Sequence, residues 1–246
     1  MQETTARTAI VTGASRGIGR AIAIRLAQDG FDIAVNYAGN AAKARETVAA
    51  IEGLGRRAIS VQGDVASEQD MRHLFDEARK AFGRIDVVVN SAGTMSMAPI
   101  GLDSLAAFDQ ILATNLRGSF VVLALAGEHL EAGGRIVMLS TSVIAKSFPN
   151  YGPYIASKAG VEGLVHVMAN ELRGRGITVN AIAPGPVGTE MFFNGKSEEQ
   201  VRQLAKLAPL ERLGEPEEIA ASVAFLAGPD GAWVNSQVLR VNGGYA

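Results

Sequence analysis

The sequence of residues 12–19, TGASRGIG, contains three glycines spaced four and two residues apart: Gly13, Gly17 and Gly19. It follows a short apolar run, Thr8–Thr12, and precedes a segment of helical periodicity, Gly17–Gln28. A glycine-rich turn between a strand and a helix lets the backbone approach a diphosphate, whose charge is stabilised by the N–H groups at the helix N-terminus. The stretch therefore predicts a nucleotide site, although its spacing differs from the common G-x-G-x-x-G pattern.

Apolar runs rich in Val and Ile alternate with longer segments of helical periodicity along the rest of the chain. This alternation predicts βαβ units, and hence a parallel sheet that is covered by helices on both faces. The predicted strands are Thr8–Thr12, Asp32–Asn36, Arg57–Gln62, Val87–Asn90, Arg135–Leu139, Thr178–Ile182 and Gln237–Val241. The predicted helices are Gly17–Gln28, Ala41–Leu54, Glu68–Phe82, Leu105–Asn115 continuing to Glu131, Tyr154–Arg173 and Pro216–Ala227. The one long irregular stretch, Pro184 to about Ser197, is typical of a functional lid, which we expect near residues 184–210.

The composition predicts one ordinary domain of 246 residues, because 48% apolar residues and a net charge of -2 provide a large core and argue against disorder. Basic and acidic side chains are interspersed, so we expect no nucleic-acid partner.

The longest uncharged apolar stretch, Ser119–Gly127, is shorter than the ~20 residues of a membrane-spanning helix, so no membrane is expected. The opening MQETTARTAIV lacks the apolar core of a signal peptide, and we expect a cytoplasmic protein.

Cysteine is absent from the sequence, which excludes disulfides and thiolate nucleophiles. The three histidines, His73, His129 and His166, are far apart and lack metal-ligand spacing. We therefore expect no metal, and the chemistry must use other groups.

The end of the second predicted strand indicates which nucleotide is bound. An NAD site normally has an acidic residue there, on the adenosine ribose, whereas this chain has Asn36, Tyr37 and Ala38. Asp32 lies at the opposite end of that strand. Arg16 in the glycine loop offers a positive charge for a 2'-phosphate. The sequence therefore favours NADP(H) over NAD(H).

The segment YIASK places Tyr154 and Lys158 four residues apart, and hence on one face of a helix. A phenol, with a reference pKa of about 10, is a poor acid–base group at neutral pH unless a nearby cation stabilises the phenolate. Tyr151 competes for the same role, but it is seven residues from Lys158 and precedes the expected helix entry at Gly152 and Pro153. Tyr154 is the favoured acid–base residue.

These motifs together resemble the short-chain dehydrogenase/reductase family over Arg7–Tyr245, nearly the whole chain. The branch that it resembles most includes 3-oxoacyl reductases and broad ketone reductases. In family order, the matching elements are TGASRGIG, Gly63-Asp64-Val65, NSAG at Asn90–Gly93, Asn115, YIASK, Pro184-Gly185 with Thr189, and the terminal VNGG. The resemblance implies a Rossmann-type doubly wound sheet of seven parallel strands flanked by helices on both faces.

The resemblance also implies roles for individual residues. Asp64 and Val65 would flank the adenine, Asn90–Gly93 would pack against the cofactor, and Thr189 would hold the nicotinamide carboxamide. Tyr154 would protonate the substrate carbonyl, Lys158 would bind the nicotinamide ribose and depress the pKa of Tyr154, and Asn115 would hold a water in a proton relay. The predicted cofactor-binding residues are Gly13, Ser15, Arg16, Gly17, Ile18, Gly19, Asn36, Tyr37, Asp64, Val65, Asn90, Ala92, Gly93, Tyr154, Lys158, Pro184, Gly185, Val187 and Thr189.

Two positions depart from the family pattern. Ser91 stands where the family often has a second Asn, and the retained Asn90 and Ala-Gly pair should tolerate it. The hydroxyl that binds the substrate carbonyl is usually a serine thirteen residues before the tyrosine, and this spacing selects Thr141. Ser142 is followed by Val143, as the family serine often is, so both hydroxyls remain candidates.

The expected substrate is a small ketone or aldehyde, reduced with NADPH in a reversible reaction. Apolar side chains are predicted to border its pocket: Met95, Ile144, Phe148, Tyr151, Met191 and Phe192. A 3-oxoacyl thioester of acyl-carrier protein or CoA is the alternative substrate, which the acidic segment 127–134 disfavours for a carrier protein. An alternative of another class is a non-catalytic NADP-binding regulatory or scaffold protein.

Two helical segments carry more apolar surface than one buried face requires, Ser119–Leu130 and Tyr154–Leu172. In the family that the chain resembles, the corresponding helices pair across a two-fold axis. The apolar closing segment would lie at a second contact, and we expect a homotetramer.

Overall fold

Seven parallel strands form one sheet in the computed structural model, which describes residues 6–246. Residues 1–5, the start of the segment in which we expect no export signal, lie outside the described residues. The strands are β1 Thr8–Thr12, β2 Asp32–Tyr37, β3 Ala58–Gln62, β4 Val87–Asn90, β5 Arg135–Leu139, β6 Thr178–Pro184 and β7 Val238–Val241. Their order is β3-β2-β1-β4-β5-β6-β7, so the winding direction reverses at β1. This is the predicted doubly wound sheet.

Helices cover both faces of this sheet. They are α1 Gly17–Gln28, α2 Ala41–Glu52, α3 Glu68–Phe82, α4 Leu105–Leu112, α5 Gly118–His129, α6 Gly152–Glu171, α7 Glu190–Phe193, α8 Glu198–Ala205 and α9 Pro216–Ala227. Neighbouring residues of β1 point into different cores: Val11 packs with α1 and α9, whereas Ile10 packs with α3, α5 and α6. Because side chains alternate along a strand, a continuous apolar strand fills both cores at once.

The predicted element boundaries differ from the observed ones by one or two residues, and local chemistry accounts for the larger differences. Strand β6 continues to Pro184 rather than ending at Ile182, because Pro184 lies opposite Val241 of β7. Helix α6 begins at Gly152, and Pro153 occupies its first turn, where a missing N–H costs nothing.

The predicted helix from Leu105 to Glu131 is interrupted. A π-helical turn, Ala113–Arg117, separates α4 from α5, and a 3-10 turn precedes α4 at Leu102–Ser104. The run Leu102–His129 is long and apolar enough to cross a membrane by length and composition alone. One side of α5 packs in the core of the protein, so a partly buried core helix accounts for this apolarity.

Residues 184–210 are less irregular than predicted, because they contain α7 and α8. Both helices begin with side-chain caps: Thr189 accepts a hydrogen bond from the Phe192 N–H, and Ser197 accepts one from the Gln200 N–H, each at 3.2 Å. We call these residues the 184–210 segment.

Candidate active site

The carboxyl ends of β1, β4, β5 and β6 border a cavity of about 540 Å³. It lies where the strand order reverses, which is the usual ligand position in doubly wound sheets. Most of the predicted cofactor and catalytic residues line it: Gly13, Ser15, Arg16, Gly17, Ile18, Gly19, Asn36, Tyr37, Asp64, Val65, Ala92, Gly93, Thr141, Tyr154, Lys158, Pro184, Gly185, Val187 and Thr189. Three predicted residues, Asn90, Asn115 and Ser142, do not.

The glycine loop has the backbone geometry that a dinucleotide site needs. A Cβ at Gly19 would lie 2.3 Å from the Gly13 carbonyl oxygen, and a Cβ at Gly13 would lie 2.8 Å from the Ala92 Cα. Gly13 and Gly17 also have positive φ values, 64° and 53°, which favour glycine. Side chains at these positions would block the close approach of the loop to its neighbours. The loop, which leads into α1, therefore fits the diphosphate of a dinucleotide.

Asn36 braces this loop from the end of β2. Its Oδ1 accepts a hydrogen bond from the Gly13 N–H at 3.4 Å, and its Nδ2 donates to the Gly63 carbonyl at 3.0 Å. Asp32, at the other end of the strand, accepts hydrogen bonds from Arg56 and Arg57. The Asp32 carboxylate is thus bonded to two arginines at the end of β2 away from the cavity, as predicted.

Helix α6 presents Tyr154 and Lys158 to the cavity. The Lys158 Nζ donates a hydrogen bond to the Leu139 carbonyl at 2.7 Å, and burial lowers the pKa of Lys158 to about 8. Burial raises the pKa of Tyr154 to about 12, and a hydrogen bond with Thr141 opposes this rise. Desolvation of the phenolate is thus the largest effect on the pKa of Tyr154 in this structure.

Thr141 and Ser142, which the sequence left as alternatives, point in different directions. Thr141 lines the cavity, and its hydroxyl lowers the pKa of Tyr154. Ser142 is buried away from the cavity, where its hydroxyl donates to the Ala183 carbonyl at 2.7 Å and accepts from Asn242 Nδ2 at 2.8 Å. The geometry therefore favours Thr141 as the hydroxyl beside the substrate carbonyl.

Asn115 is buried behind the cavity wall, in the π-helical turn. Its Oδ1 accepts from the Thr94 N–H at 2.8 Å, and its Nδ2 donates to the Thr94 carbonyl at 2.9 Å and to Ser157 Oγ at 3.1 Å. A Cβ on Gly93 would lie 3.3 Å from Asn115 Oδ1 and 3.4 Å from Lys158 Nζ. With its side-chain amide committed in this way, Asn115 positions the Gly93–Thr94 backbone rather than lining the site.

Asn90, one of the predicted cofactor-binding residues, is also buried behind the wall. Its Oδ1 accepts from Thr12 Oγ1 at 2.5 Å, and its Nδ2 donates to Ser119 Oγ at 2.9 Å. Thr12 Oγ1 in turn accepts from the Ala92 N–H at 3.1 Å. Asn90 thereby ties β1 to the chain that follows β4.

Several apolar side chains line the cavity. Five of the predicted pocket residues line it, Met95, Phe148, Tyr151, Met191 and Phe192, whereas Ile144 does not. Lining residues that no sequence motif indicated include Val143, Lys196, Leu204 and Tyr245. Tyr245 is buried, and Lys146 Nζ lies 5.0 Å from the centre of its ring. The apolar character of the closing segment is the one sequence signal for Tyr245, and it predicts a subunit contact rather than a pocket residue.

Arg16 also lines the cavity, and it lies next to the first residue of α7. Its guanidinium contacts Glu190 Oε2 at 3.0 Å, and Lys43 of α2 forms an ion pair with the other oxygen of the same carboxylate. Hydrogen bonds from Lys43 and Arg16 hold the pKa of Glu190 below its usual range. The sequence analysis identified neither Lys43 nor Glu190.

Comparison with known proteins matches almost the entire chain. The family model described as "Enoyl-(Acyl carrier protein) reductase" matches residues 13–246. A "Short-chain type dehydrogenase/reductase" of Picea abies is 46% identical over 248 residues, which cover 97% of this chain and 92% of that protein. The chain belongs to the short-chain dehydrogenase/reductase family. This finding confirms the family predicted from the motifs.

Two further members show the range of this family. An "NADPH-dependent aldehyde reductase-like protein, chloroplastic" of Arabidopsis thaliana is 44% identical over 253 residues, covering 97% of this chain and 94% of that protein. The crystal structure of a short-chain dehydrogenase from Burkholderia cenocepacia in complex with NADP has a TM-score of 0.92 and 38% identity, with 97% of each chain covered. The predicted Rossmann-type fold is confirmed. The names support the predicted 3-oxoacyl and ketone reductase branch only loosely.

Proposed function

We propose that this chain reduces a small, mainly apolar ketone or aldehyde with NADPH, with Tyr154 as the proton donor. The observation that carries the proposal is the convergence of Tyr154, Thr141 and Lys158 on a single cavity. The glycine loop and several apolar side chains line the same cavity. A carbonyl group bound beside Tyr154 and Thr141 would meet both hydroxyls together.

Tyr154 is suited to give a proton rather than to hold a charge. With a pKa raised to about 12, the phenol is protonated at neutral pH and can donate to a developing alkoxide. The Thr141 hydroxyl, beside Tyr154, donates a second hydrogen bond to the same oxygen and stabilises its charge. Lys158, buried against Leu139, faces the position proposed for the nicotinamide ribose. In alcohol oxidation the same residues act in reverse.

The cofactor NADP(H) was predicted from Arg16 and from the missing acidic residue at the end of β2. Related reductases named as NADPH-dependent, and related structures that contain NADP or NADPH, confirm this prediction and the oxidoreductase class. When bound, the cofactor supplies the hydride. In this chain the glycine loop would hold its diphosphate and Arg16 its 2'-phosphate. The value of kcat/KM should be higher with NADPH than with NADH.

The substrate class rests on the apolar part of the cavity. Met95, Phe148, Met191 and Phe192 provide apolar surface, and Tyr151 adds a phenol whose pKa is raised by burial. Pockets of this kind orient a small ligand through a few polar groups and bind the remainder by apolar contact. We therefore favour a free carbonyl compound over a carrier-bound one.

A substrate panel followed by NADPH absorbance tests the proposal. The panel contains aromatic and aliphatic ketones, aldehydes and a 3-oxoacyl-CoA, each with wild type and with Tyr154→Phe. Turnover of free carbonyl compounds that is lost in Tyr154→Phe is the expected result. Turnover confined to the thioester would select the 3-oxoacyl reductase alternative. NADPH binding with no turnover of any compound would favour a regulatory or scaffold role.

A further inference from the structure

One carboxylate, that of Glu190, bridges two cations from different parts of the fold. Arg16 belongs to the glycine loop, Lys43 lies on α2, and Glu190 is the first residue of α7 in the 184–210 segment. The Arg16 Nη1 lies 3.0 Å from Glu190 Oε2, and Lys43 Nζ contacts Oε1. All three side chains are at least one-third exposed. The carboxylate therefore marks a position that is open to solvent and that two cations reach at once.

This position has the chemistry of a phosphate site. Phosphate oxygens, like carboxylate oxygens, accept charge-assisted hydrogen bonds from Arg and Lys. Tyr37, the last residue of β2, lines the same cavity as Arg16, as do Gly39 and Asn40, which precede α2. This is where the adenosine ribose is expected, because that ribose is bound at the end of β2 in such folds.

We propose that Glu190 occupies the place of the cofactor's 2'-phosphate and competes with it for Arg16 and Lys43. Glu190 thereby determines how tightly NADP(H) binds relative to NAD(H). The proposal rests on the placement of the 2'-phosphate at Arg16 in the proposed function. It adds Lys43 as a second cation and Glu190 as the residue that is displaced.

Electrostatics give the direction of the effect. A 2'-phosphate carries a charge of about -1.5 to -2 near neutral pH, more than the single charge of Glu190. When it binds, it therefore replaces the Glu190 carboxylate as the partner of Arg16 and Lys43. The displaced carboxylate is then a nearby like charge that weakens phosphate binding. A nucleotide without the 2'-phosphate leaves the Arg16–Glu190–Lys43 bridge intact. Glu190 should therefore lower affinity for NADP(H) and leave affinity for NAD(H) unchanged.

The exchange also connects the phosphate to the opposite end of the cofactor. Glu190 follows Thr189, whose methyl group lies 3.6 Å from where a Cβ of Gly17 would be. Thr189 is the residue expected at the nicotinamide carboxamide. Displacement of Glu190 would release the bridge that ties α7 to the glycine loop and to α2.

Binding of two small nucleotides by calorimetry tests the proposal without catalysis. The probes are 2',5'-ADP, which carries the 2'-phosphate, and 5'-AMP, which does not. Glu190→Gln removes the charge and keeps the shape of the side chain. We expect it to lower the Kd of 2',5'-ADP by about three- to tenfold, as suits exposed ion pairs, and to leave that of 5'-AMP unchanged within about twofold. The Kd of NADPH should fall in the same way, and the Kd of NADH should stay unchanged.

Glu198→Gln is the matched control, because Glu198 is an exposed carboxylate of the same 184–210 segment that pairs with Arg202 of its own helix at 3.7 Å. Glu198→Gln should leave the Kd of both nucleotides unchanged. Unchanged or weaker binding of 2',5'-ADP by Glu190→Gln would overturn the proposal. Equal tightening of both probes, or equal tightening by Glu198→Gln, would overturn it too, since each indicates a general charge effect.

Arg16→Ala and Lys43→Ala separate this inference from the proposed function. Both substitutions should weaken binding of 2',5'-ADP and leave binding of 5'-AMP unchanged. In either background, Glu190→Gln should increase the affinity for 2',5'-ADP less than it does in the wild type, because the competing ion pair is already broken. If Arg16→Ala leaves 2',5'-ADP binding unchanged, the placement of the 2'-phosphate itself is wrong. If Arg16→Ala weakens it and Glu190→Gln changes nothing, only the competition by Glu190 is wrong.

Discussion

Burial shifts the pKa values of Tyr154 and Lys158 in opposite directions. It raises the pKa of Tyr154 to about 12 and lowers the pKa of Lys158 to about 8, because it disfavours phenolate and ammonium alike. Near neutral pH, Tyr154 is therefore protonated and Lys158 is largely charged. This is the protonation state that carbonyl reduction requires.

The first prediction concerns the proton donor. Tyr154→Phe keeps the ring and its packing but removes the hydroxyl, so kcat for carbonyl reduction should fall by about 10²- to 10⁴-fold while NADPH binding persists. Steady-state kinetics and a fluorescence titration with NADPH measure the two effects. Tyr151→Phe is the control, since Tyr151 lines the same cavity, and it should change KM more than kcat. The reverse pattern would reassign the proton donor.

The second prediction concerns the two adjacent hydroxyls. Thr141→Ala should lower kcat by about 10- to 1000-fold, because a hydrogen bond to the developing alkoxide is lost, and Thr141→Ser should retain most of the activity. Ser142→Ala should instead lower the melting temperature, since the buried Ala183 carbonyl and the Asn242 amide each lose a partner. Kinetics combined with thermal unfolding distinguishes the variants. A catalytic loss confined to Ser142→Ala would contradict the assignment.

The third prediction concerns pH. In the proposed mechanism, alcohol oxidation requires Tyr154 to accept a proton, and the phenolate fraction rises with pH at all values below a pKa of about 12. Initial rates of oxidation at saturating substrate should therefore increase between about pH 6 and pH 9, less steeply once Lys158 loses its charge above about 8. Carbonyl reduction should not show this increase, because the protonated phenol already predominates. Oxidation rates that fall over the same range would exclude Tyr154 as the base.

At the scale of elements, the site depends on a loop whose backbone leaves no room for a side chain at Gly13 or Gly19. The Gly13–Gly19 turn is packed on itself and against Ala92, the residue that Thr12 also holds by a hydrogen bond. The π-helical turn has a comparable role on the other side, since it directs Asn115 toward the backbone of Thr94. Both irregular elements position backbone groups. π-Helical turns are frequent at functional sites.

The fourth prediction tests the glycine loop. Gly19→Ala would place a Cβ 2.3 Å from the Gly13 carbonyl oxygen, so the loop must shift. We expect NADPH affinity to fall by at least about tenfold, together with a stability loss of roughly 1–3 kcal/mol. Titration with NADPH and chemical denaturation measure these effects. Gly101→Ala, where no atom lies within 4 Å of the added Cβ, should be neutral, and an equal loss there would refute the explanation.

At the scale of the whole molecule, the described surface carries apolar side chains that the fold does not bury. Phe120 of α5 is 60% exposed, and Val167 of α6 is 55% exposed. Trp233, near the end of the chain, is 99% exposed. Exposed apolar residues on two neighbouring helices are typical of a subunit contact. Together with the family resemblance, they support the proposed homotetramer.

The fifth prediction follows from this surface. Phe120→Glu combined with Val167→Glu should convert the tetramer to a smaller species, because charges would be buried in the contact. Light scattering after size-exclusion chromatography at micromolar concentration measures the mass. Leu54→Glu, at an exposed apolar position outside these two helices, should leave the assembly unchanged. A wild-type monomer would refute the proposed tetramer.

The sequence by itself determined the features that depend on local spacing. Strand and helix positions follow from periodicities of two and 3.6 residues, and the glycine loop and the Tyr154–Lys158 pair follow from short intervals along the chain. The order of alternating strands and helices then implied the doubly wound sheet, and the missing acidic residue after β2 implied NADP(H). These inferences need no knowledge of which distant residues meet.

Only the tertiary structure decided the features that depend on contacts between distant segments. Thr141 faces the cavity and Ser142 does not, because Ser142 is bonded to residues 41 and 100 positions away. Tyr245 reaches the pocket from the end of the chain, and Glu190 meets Arg16 across 174 positions. No periodicity encodes such pairings, since they arise when the strands close into one sheet and bring their carboxyl ends together. The direction of the Tyr154 pKa shift belongs to the same class, because it depends on burial.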